Sequence, residues 1–503
     1  MAVRGASLRL TNDRYVKNLR EIVFPNEFDY GDNTQFLKLF VASYVAFLSD
    51  SPLESESPRP VRCYNQFYRV LTTQHLKTTI TRFSGLAHEV LKTSFLCGSD
   101  TTTGVFIDDM RDTPTFREYL AWYRTGRPEL LKYVISFLTF GKKLEYVDEE
   151  FNTTAFREWN EVEERLASLT FADVDLRNLR TIIRRLLPDP NDDALLPRFG
   201  PGAVSESGTL TPFDKLRTLT IDTRLEMLFI KYRLYRGYGL GDLITTLGKG
   251  SIDHSTLLFV PKDIKKSRSI CKEPNAYMYF QQEVLRYMVS AMERGLINRF
   301  VNLDDQTQNQ KAAIHGSKYL SVDTLDLSSA SDSVHVELVR RVFPTTWLKY
   351  MMGTRTSKVL LPDGSLTTVH KFAPMGSAIC FPTQCILFTA ACLYAYLAEF
   401  WGVATGARVF TDTEITTFLR RGIDFRKNEE TPFAKRFESP VVYGDDIIVD
   451  SRLTTNIILL LTRLGFTVNE NKSFTGSQST RESCGVYAFA GVDITPVIFR
   501  LPF

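Results

Sequence analysis

Apolar positions recur with two periods along this chain, and the change from one to the other divides it. Before residue 200, apolar and charged residues mix at helix-like spacing, which predicts helices with one buried face. From residue 255 onward, short β-rich runs intervene. TLLFVP (256–261) predicts a strand and EVLRYMVSAMERGL (283–296) a helix, while YLSVDTLDL (319–327) predicts a strand leading into the helical SVHVELVRRVF (333–343). LPDG at 361–364 stands between β-formers as a hairpin turn, and SPVVYGDDIIVD (439–450) predicts a second hairpin. TTNIILLLTRLG (454–465) predicts a helix closed by Gly465. Strands and helices mix without strict βαβ alternation or internal repeat, so the expected class is α+β.

Breaks in the pattern mark loops and boundaries. The Ser/Pro-rich SDSPLESESPRPV (49–61) reads as a surface loop, and Pro188, Pro190, Pro197 and Pro201 flank an Asn-Asp-Asp run before FGPGA (199–203), where a domain boundary is expected. The run from Phe372 to Ala398 carries no charge. Its core, CILFTAACLYAYLA, has the length of a buried helix rather than the ~20 apolar residues of a membrane span, and Pro382 and Gln384 interrupt it. A buried helix and no membrane association are expected.

Composition narrows the chemistry. The 503 residues are 44% hydrophobic and 24% charged, as in folded globular proteins, which excludes a disordered or fibrous chain. A net charge of +3 is too small to mark a nucleic-acid binder, so a polyanion would need a local basic patch. The seven cysteines form no CxxC pair and the six histidines no HExxH, so a catalytic metal would be held mainly by carboxylates, as magnesium or manganese is. The amino terminus lacks the apolar stretch of a signal peptide, and scattered cysteines fit a reducing cytosol.

Carboxylates supply the candidates. Asp445 and Asp446 stand at the tip of a tight hairpin, where two adjacent negative charges repel; they face water as an Asx turn or bind a divalent cation. Upstream, Leu325 and Leu327 face the side of their strand opposite Asp326. Asp326 is then either a loop or capping residue, or a second carboxylate for a two-metal phosphoryl-transfer centre. Asp332 reads either as the amino-terminal cap of the following helix or as an acceptor for a ribose hydroxyl. PKDIKKSRSICK (261–272) holds five basic residues against one acidic; if extended, it puts Lys262, Lys266 and Arg268 on one face with Lys265 opposite. Such a run is a solvated face or a cradle for phosphates.

In this order the motifs resemble those of right-hand RNA-dependent RNA polymerases, and more closely the replicase catalytic subunit of single-stranded RNA bacteriophages, the leviviruses. The resemblance rests on FGPGA, VPK…R…KEP (260–274), NLDDQTQNQ (302–310), LDLSSASDSV (325–334), LPDG, MGS (375–377), VYGDDII, NKSF (471–474) and RESCG…GVDITP (481–496). It implies a palm with an antiparallel sheet, fingers and a short or atypical thumb. It also implies a helical region of unknown role at 1–198, fingers with a basic nucleotide-binding strand at 199–318, palm at 319–345, a fingers insertion at 346–371, and palm with a short carboxyl-terminal region at 372–503. By the same resemblance Asp326, Asp445 and Asp446 correspond to magnesium-binding aspartates, with Mn2+ as a substitute. Lys262, Lys265 and Arg268 would lie along the nucleotide's phosphates, Asp332 and Ser377 near its sugar, and Lys472 would be the general acid for pyrophosphate or else an exposed loop lysine. The implied partners are RNA template and product, NTPs, host translation elongation factors and a ribosomal protein, in the cytoplasm of a bacterial host.

Departures from the family pattern accompany the resemblance. Ser377-Ala378 stands where the best-known members have Asn-Gly, and the charged stretch 419–438 reads as an insertion. Only 57 residues follow Asp446, so the thumb's surface is expected from the amino-terminal region, the alternatives being an incomplete chain or a partner subunit. A reverse transcriptase and an inactive RNA-binding protein on a polymerase scaffold are the competing readings. Gly444 before the paired aspartates and the polar Asp332 speak against the first; retention of the three carboxylates and the basic strand speaks against the second.

Overall fold

A computed structural model describes residues 37–47 and 68–69 in part, 76–93, 125–144, 149–190, 198–219 apart from 207, 209 and 210, Leu225, 252–422 and 438–499. The expected loop at 49–61, the middle of the 188–202 break and most of the charged 419–438 stretch lie outside these residues. The chain divides into two compact units, one of residues 1–146, 262–265 and 487–503, the other of 147–261 and 266–486.

In the first unit, α1 (Leu76–Thr93) packs against α2 (Pro128–Thr139). Pro128 suits the first turn of α2, where its missing N–H costs no hydrogen bond. The rings of Phe40, Tyr44, Phe137 and Phe140 cluster beside these helices. Phe499 joins them, its ring 5.4 Å from Phe40 and its N–H donating to Phe140 O at 2.8 Å.

The second unit begins with α3 (Glu149–Ala167), α4 (Asp173–Leu186) and the short α5 (Pro212–Arg217). The antiparallel strands β1 (His254–Pro261) and β2 (Ser267–Lys272) follow, then α6 (Asn275–Arg294), α7 (Thr307–Tyr319), β3 (Val322–Leu325), β4 (Leu327–Ser328) and the single turn α8 (Ala330–Ser333). Next come α9 (Val336–Val342), α10 (Thr345–Gly353), β5 (Lys358–Leu360), β6 (Leu366–Thr368), α11 (Cys380–Phe400) and α12 (Asp412–Thr417). The unit closes with β7 (Val441–Tyr443), β8 (Asp446–Asp450), α13 (Thr454–Arg463), β9 (Thr467–Val468) and β10 (Thr480–Ser483). Its sheets run β2-β1-β5-β6, β3-β8-β7 and β4-β9.

The uncharged run forms α11, whose mean hydropathy of 1.4 would suit a membrane span by composition, yet 89% of that window is buried inside the protein. It packs against α4 and α13, and its residues from Cys385 to Ala398 join Leu179, Ile182, Ile183, Ile447, Val449, Ile457 and Leu460 in one core. The sheet β3-β8-β7 lies on this core with Leu325, Ile447 and Val442 inward. LPDG makes the turn between β5 and β6 as expected, and α13 ends just before Gly465. The strand expected at 319–327 is shorter and breaks at Asp326. The helix expected over 333–343 is confined to α9, because the His335 ring accepts from Glu337 N–H at 2.8 Å and caps it there.

FGPGA has a structural task. The buried ammonium of Lys215 donates to the carbonyls of Gly200 and Gly202, each at 2.6 Å, so two carbonyls of this turn hold the charge that burial disfavours.

Candidate active site

Two apolar β-branched runs meet in a two-residue turn, Gly444-Asp445, with Tyr443 paired to Asp446. Gly444 has φ +62° and Asp445 does not share the positive sign, the pattern of a type II′ hairpin turn with glycine first. The space is closed as well, since a Cβ on Gly444 would lie 2.5 Å from the Phe381 ring, which packs edge-on against Tyr443. Gly444→Ala is therefore expected to cost about 1–3 kcal/mol through strain alone, with a further loss as Phe381 is displaced. Thermal unfolding checks this, and an unchanged midpoint would contradict the geometry.

The strand beside that turn delivers a third carboxylate. β3 pairs antiparallel with β8 through Leu325 and Ile447, and the next step of this register puts Asp326 directly across from Asp446. Leu325 and Leu327 are sunk in the core, and Asp326 points the other way, 8% exposed. The segment after α13 runs back along it: Thr324 and Phe474 exchange both backbone hydrogen bonds, and Asn469 N–H donates to Asp326 O at 2.8 Å. Asp326 N–H in turn donates to Ser473 Oγ at 3.0 Å. Its carboxylate accepts from Lys472 Nζ at 3.1 Å on one oxygen and from Asn469 Nδ2 at 2.8 Å on the other.

Electrostatics follow from this crowding. Burial first, then the neighbouring charges of Asp445 and Asp326, push the Asp446 carboxyl up to about 6, against backbone N–H donation from Cys484 and attraction from Lys472. Burial pulls the Lys472 ammonium down, but Asp326, Glu482 and Asp445 outweigh it and hold the group above the usual lysine range. The donors are hard oxygens, the set that magnesium or manganese prefers. Among the described residues, no three His, Cys, Asp or Glu side chains already form a ligand shell, and Lys472 and Asn469 hold the Asp326 oxygens.

Asp332 lies in α8 and is not a helix cap, a role His335 takes for α9. It is buried, and its Oδ2 is 3.5 Å from Ser269 Oγ on β2. Burial raises its pKa while the nearby Lys371 ammonium opposes the rise.

The basic run does not stay extended. Pro261 pairs with Ser267, so 262–266 is the turn of a hairpin; Lys262 and Lys265 fall in it, and Asp263 Oδ1 accepts from Lys265 N–H at 2.9 Å. Lys262, Lys266 and Arg268 therefore share no strand face. Arg268 alone of the three lies on β2, exposed and on the side opposite Ser269, the residue that meets Asp332.

Ser377 is buried and donates to Gln281 Oε1 on α6 at 3.0 Å, as does Ala378 N–H. The turn before it is locked to β2. Cys271 N–H donates to Met375 O at 2.8 Å, and Gly376, at φ +119°, lies so close to Cys271 O that a Cβ would overlap it.

Several contributors were not singled out from sequence. Ser473 stands inside the NKSF stretch and Asn469 two residues before it, so the signal was present. The residues of α3 carry no such signal. Asn152 accepts from Ser267, Trp159 O accepts from Lys371 Nζ, Glu163 pairs with His370 and Lys371, and Arg165 donates to Ser333 and Thr467.

Three aspartates gathered by the hairpin and neighbouring strand of an antiparallel sheet, backed by helices, define the α+β palm of a right-hand polymerase. The sequence profile of the family described as RNA replicase, beta-chain, matches residues 150–401 and 434–503, more than half of the chain, and the chain belongs to that family. Relatives include the RNA-directed RNA polymerase subunit beta of Enterobacteria phage SP, 31% identical over 48% of this chain and 35% of the relative. That of Escherichia virus Qbeta is 32% identical over 48% of this chain and 34% of the relative. The RNA-directed RNA polymerase beta chain of Escherichia phage MS2 is 29% identical over 48% and 37%. The matched part of this chain thus spans about a third of these relatives' length. Among solved structures, the insertion-loop deletion mutant of a human picorbirnavirus RNA-dependent RNA polymerase has a TM-score of 0.42 at 10% identity, over 82% of this chain and 76% of that one.

Proposed function

We propose that this chain carries out RNA-templated RNA synthesis from NTPs, copying and transcribing a viral genome in the cytoplasm of a bacterial host. The observation that carries this reading is the gathering of Asp326, Asp445 and Asp446 at one end of the β3-β8-β7 sheet with Lys472 against Asp326. The carboxylates would hold Mg2+, or Mn2+ in its place, and such ions would supply activation of the attacking hydroxyl and charge stabilisation for the leaving pyrophosphate. The mutual repulsion of the carboxylates favours such a cation.

The other side chains take complementary parts. Arg268 neutralises triphosphate charge, Asp332 accepts from the ribose hydroxyl, and Ser377 keeps the Met-Gly-Ser turn in place near the sugar. Lys472, held protonated by its acidic neighbours, gives a proton to pyrophosphate. Residues 199–318 and 346–371 would serve as fingers and 319–345 with 372–503 as palm, and elongation factors and a ribosomal protein of the host would join the complex.

Lys472→Leu is expected to lower single-turnover incorporation by about 10²–10⁴-fold with little change in nucleotide affinity. An unchanged rate with weaker nucleotide binding would make it a phosphate clamp instead. For the reading as a whole, the purified chain with primed RNA, NTPs and Mg2+ or Mn2+ should yield extended product and one pyrophosphate for every nucleotide added. No product with either metal would overturn it.

A further inference from the structure

Lys371 is a lysine with no exposed surface; its ammonium is set against helix α3 and its backbone is bridged to His335, three residues after Asp332. Its ammonium donates to Trp159 O at 2.6 Å, lies 3.5 Å from the centre of the Trp159 ring, and is 3.6 Å from Glu163 Oε2. Glu163 also accepts from the backbone and ring N–H of the adjacent His370, so the residue before the cation is fastened to α3 as well. Arg165, two residues further along α3, donates to Ser333 Oγ at 2.8 Å and so ties down the turn that carries Asp332.

Asp332 is in an unusual position for a buried carboxylate. It is 9% exposed, and its hydrogen bonding among the described residues amounts to the long contact with Ser269. An ionised carboxylate so placed needs a compensating charge. A lysine bonded to it directly would fill the acceptor positions that a substrate hydroxyl requires. Here the ammonium is turned onto Trp159 and Glu163 instead, and its charge opposes the rise of the Asp332 pKa without a hydrogen bond to that carboxylate.

We propose that Lys371, seated on Trp159 and Glu163 of α3, is a positioning residue for ribose selection, balancing the charge of the Asp332 carboxylate while leaving its oxygens open to a ribose hydroxyl. This rests on the ribose-reading role proposed for Asp332. It gives α3 a part in substrate choice, because the compensating cation is fixed from that helix and not from the strand or turn that meets the nucleotide.

The test compares kcat/KM for NTP and the matching dNTP on one primed template, using the full chain. Asp332→Ala is the reference and should narrow the preference for NTP. Lys371→Met should narrow it by about tenfold or more, chiefly through a raised KM for NTP, because a site built to bond a hydroxyl loses its selectivity when the acceptor is misplaced. Adding Lys371→Met to Asp332→Asn should narrow it no further. If Asp332→Ala narrows the preference and a folded Lys371→Met leaves it as in the parent, the role of Lys371 is wrong and that of Asp332 stands. If Asp332→Ala leaves the preference intact, the ribose-reading role itself fails and the inference with it. Should Lys371→Met not fold, Lys371→Arg and Lys371→Gln decide: charge retention must preserve the preference and charge loss must narrow it, and equal preferences in the two would overturn the inference.

Discussion

Asp326→Ala and Asp445→Ala are each expected to lower nucleotide incorporation by about 10³-fold or more while leaving the fold intact. The site geometry supports both halves of this expectation. Asp326 presents its carboxylate on the side of the strand away from Leu325 and Leu327, so its removal opens no cavity in the core. It also relieves a repulsion, since Asp326 is among the charges that push Asp446 upward. The partner it abandons, Lys472, is about half exposed and can be hydrated. Activity and stability should therefore separate, with the unfolding midpoint near that of the parent. Near-normal turnover in either folded variant would remove that residue from the catalytic centre.

The second large effect is on stability. Arg481 and Asp323 form a fully buried ion pair at 2.9 Å, beneath the strand that leads to Asp326. The guanidinium also donates to the carbonyls of Val322, Gln478, Thr480 and Gly476, and Asp323 accepts from Thr454 Oγ1 and Gly476 N–H, so the bonding of both groups is extensive. Burial already raises the Asp323 carboxyl. Arg481→Met would strand that charge and release the 476–481 turn from β3, at a cost of about 3–5 kcal/mol. Replacing both partners, Asp323→Leu with Arg481→Met, should recover much of the loss because no unpaired charge remains. Denaturant unfolding measures all three proteins; a loss under about 1 kcal/mol in the single variant would contradict the burial of the pair.

What could be read from sequence was what neighbours in sequence determine. The Tyr-Gly-Asp-Asp hairpin, the LPDG turn and the α11 and α13 helices depend on periodicity and turn residues within about ten positions, and they stand where expected. The convergence of Asp326 with Asp446 could be inferred only because both strands were already placed.

Errors came where local cues competed. The shared face of Lys262, Lys266 and Arg268 required residues 261–272 to stay extended, but Asp263 turns the chain by accepting from Lys265 N–H, a signal that was available in the aspartate itself. Asp332 read either as a cap or as a ribose acceptor, and of these the cap is taken by the imidazole of His335. The part played by α3 could not be read at all. Its Asn152, Trp159, Glu163 and Arg165 meet partners 115 to 302 positions away, and no pattern inside a helix announces which distant strand or turn it will brace.

Single-nucleotide extension of one RNA primer on four templates that differ only at the templating base, run in parallel with Asp445→Ala, tests template-directed synthesis most directly. The expected result is that each template directs incorporation of its complementary NMP in Mg2+ or Mn2+, and that the variant incorporates none at a comparable rate. Incorporation that ignores the templating base, or that persists unchanged in Asp445→Ala, would contradict it.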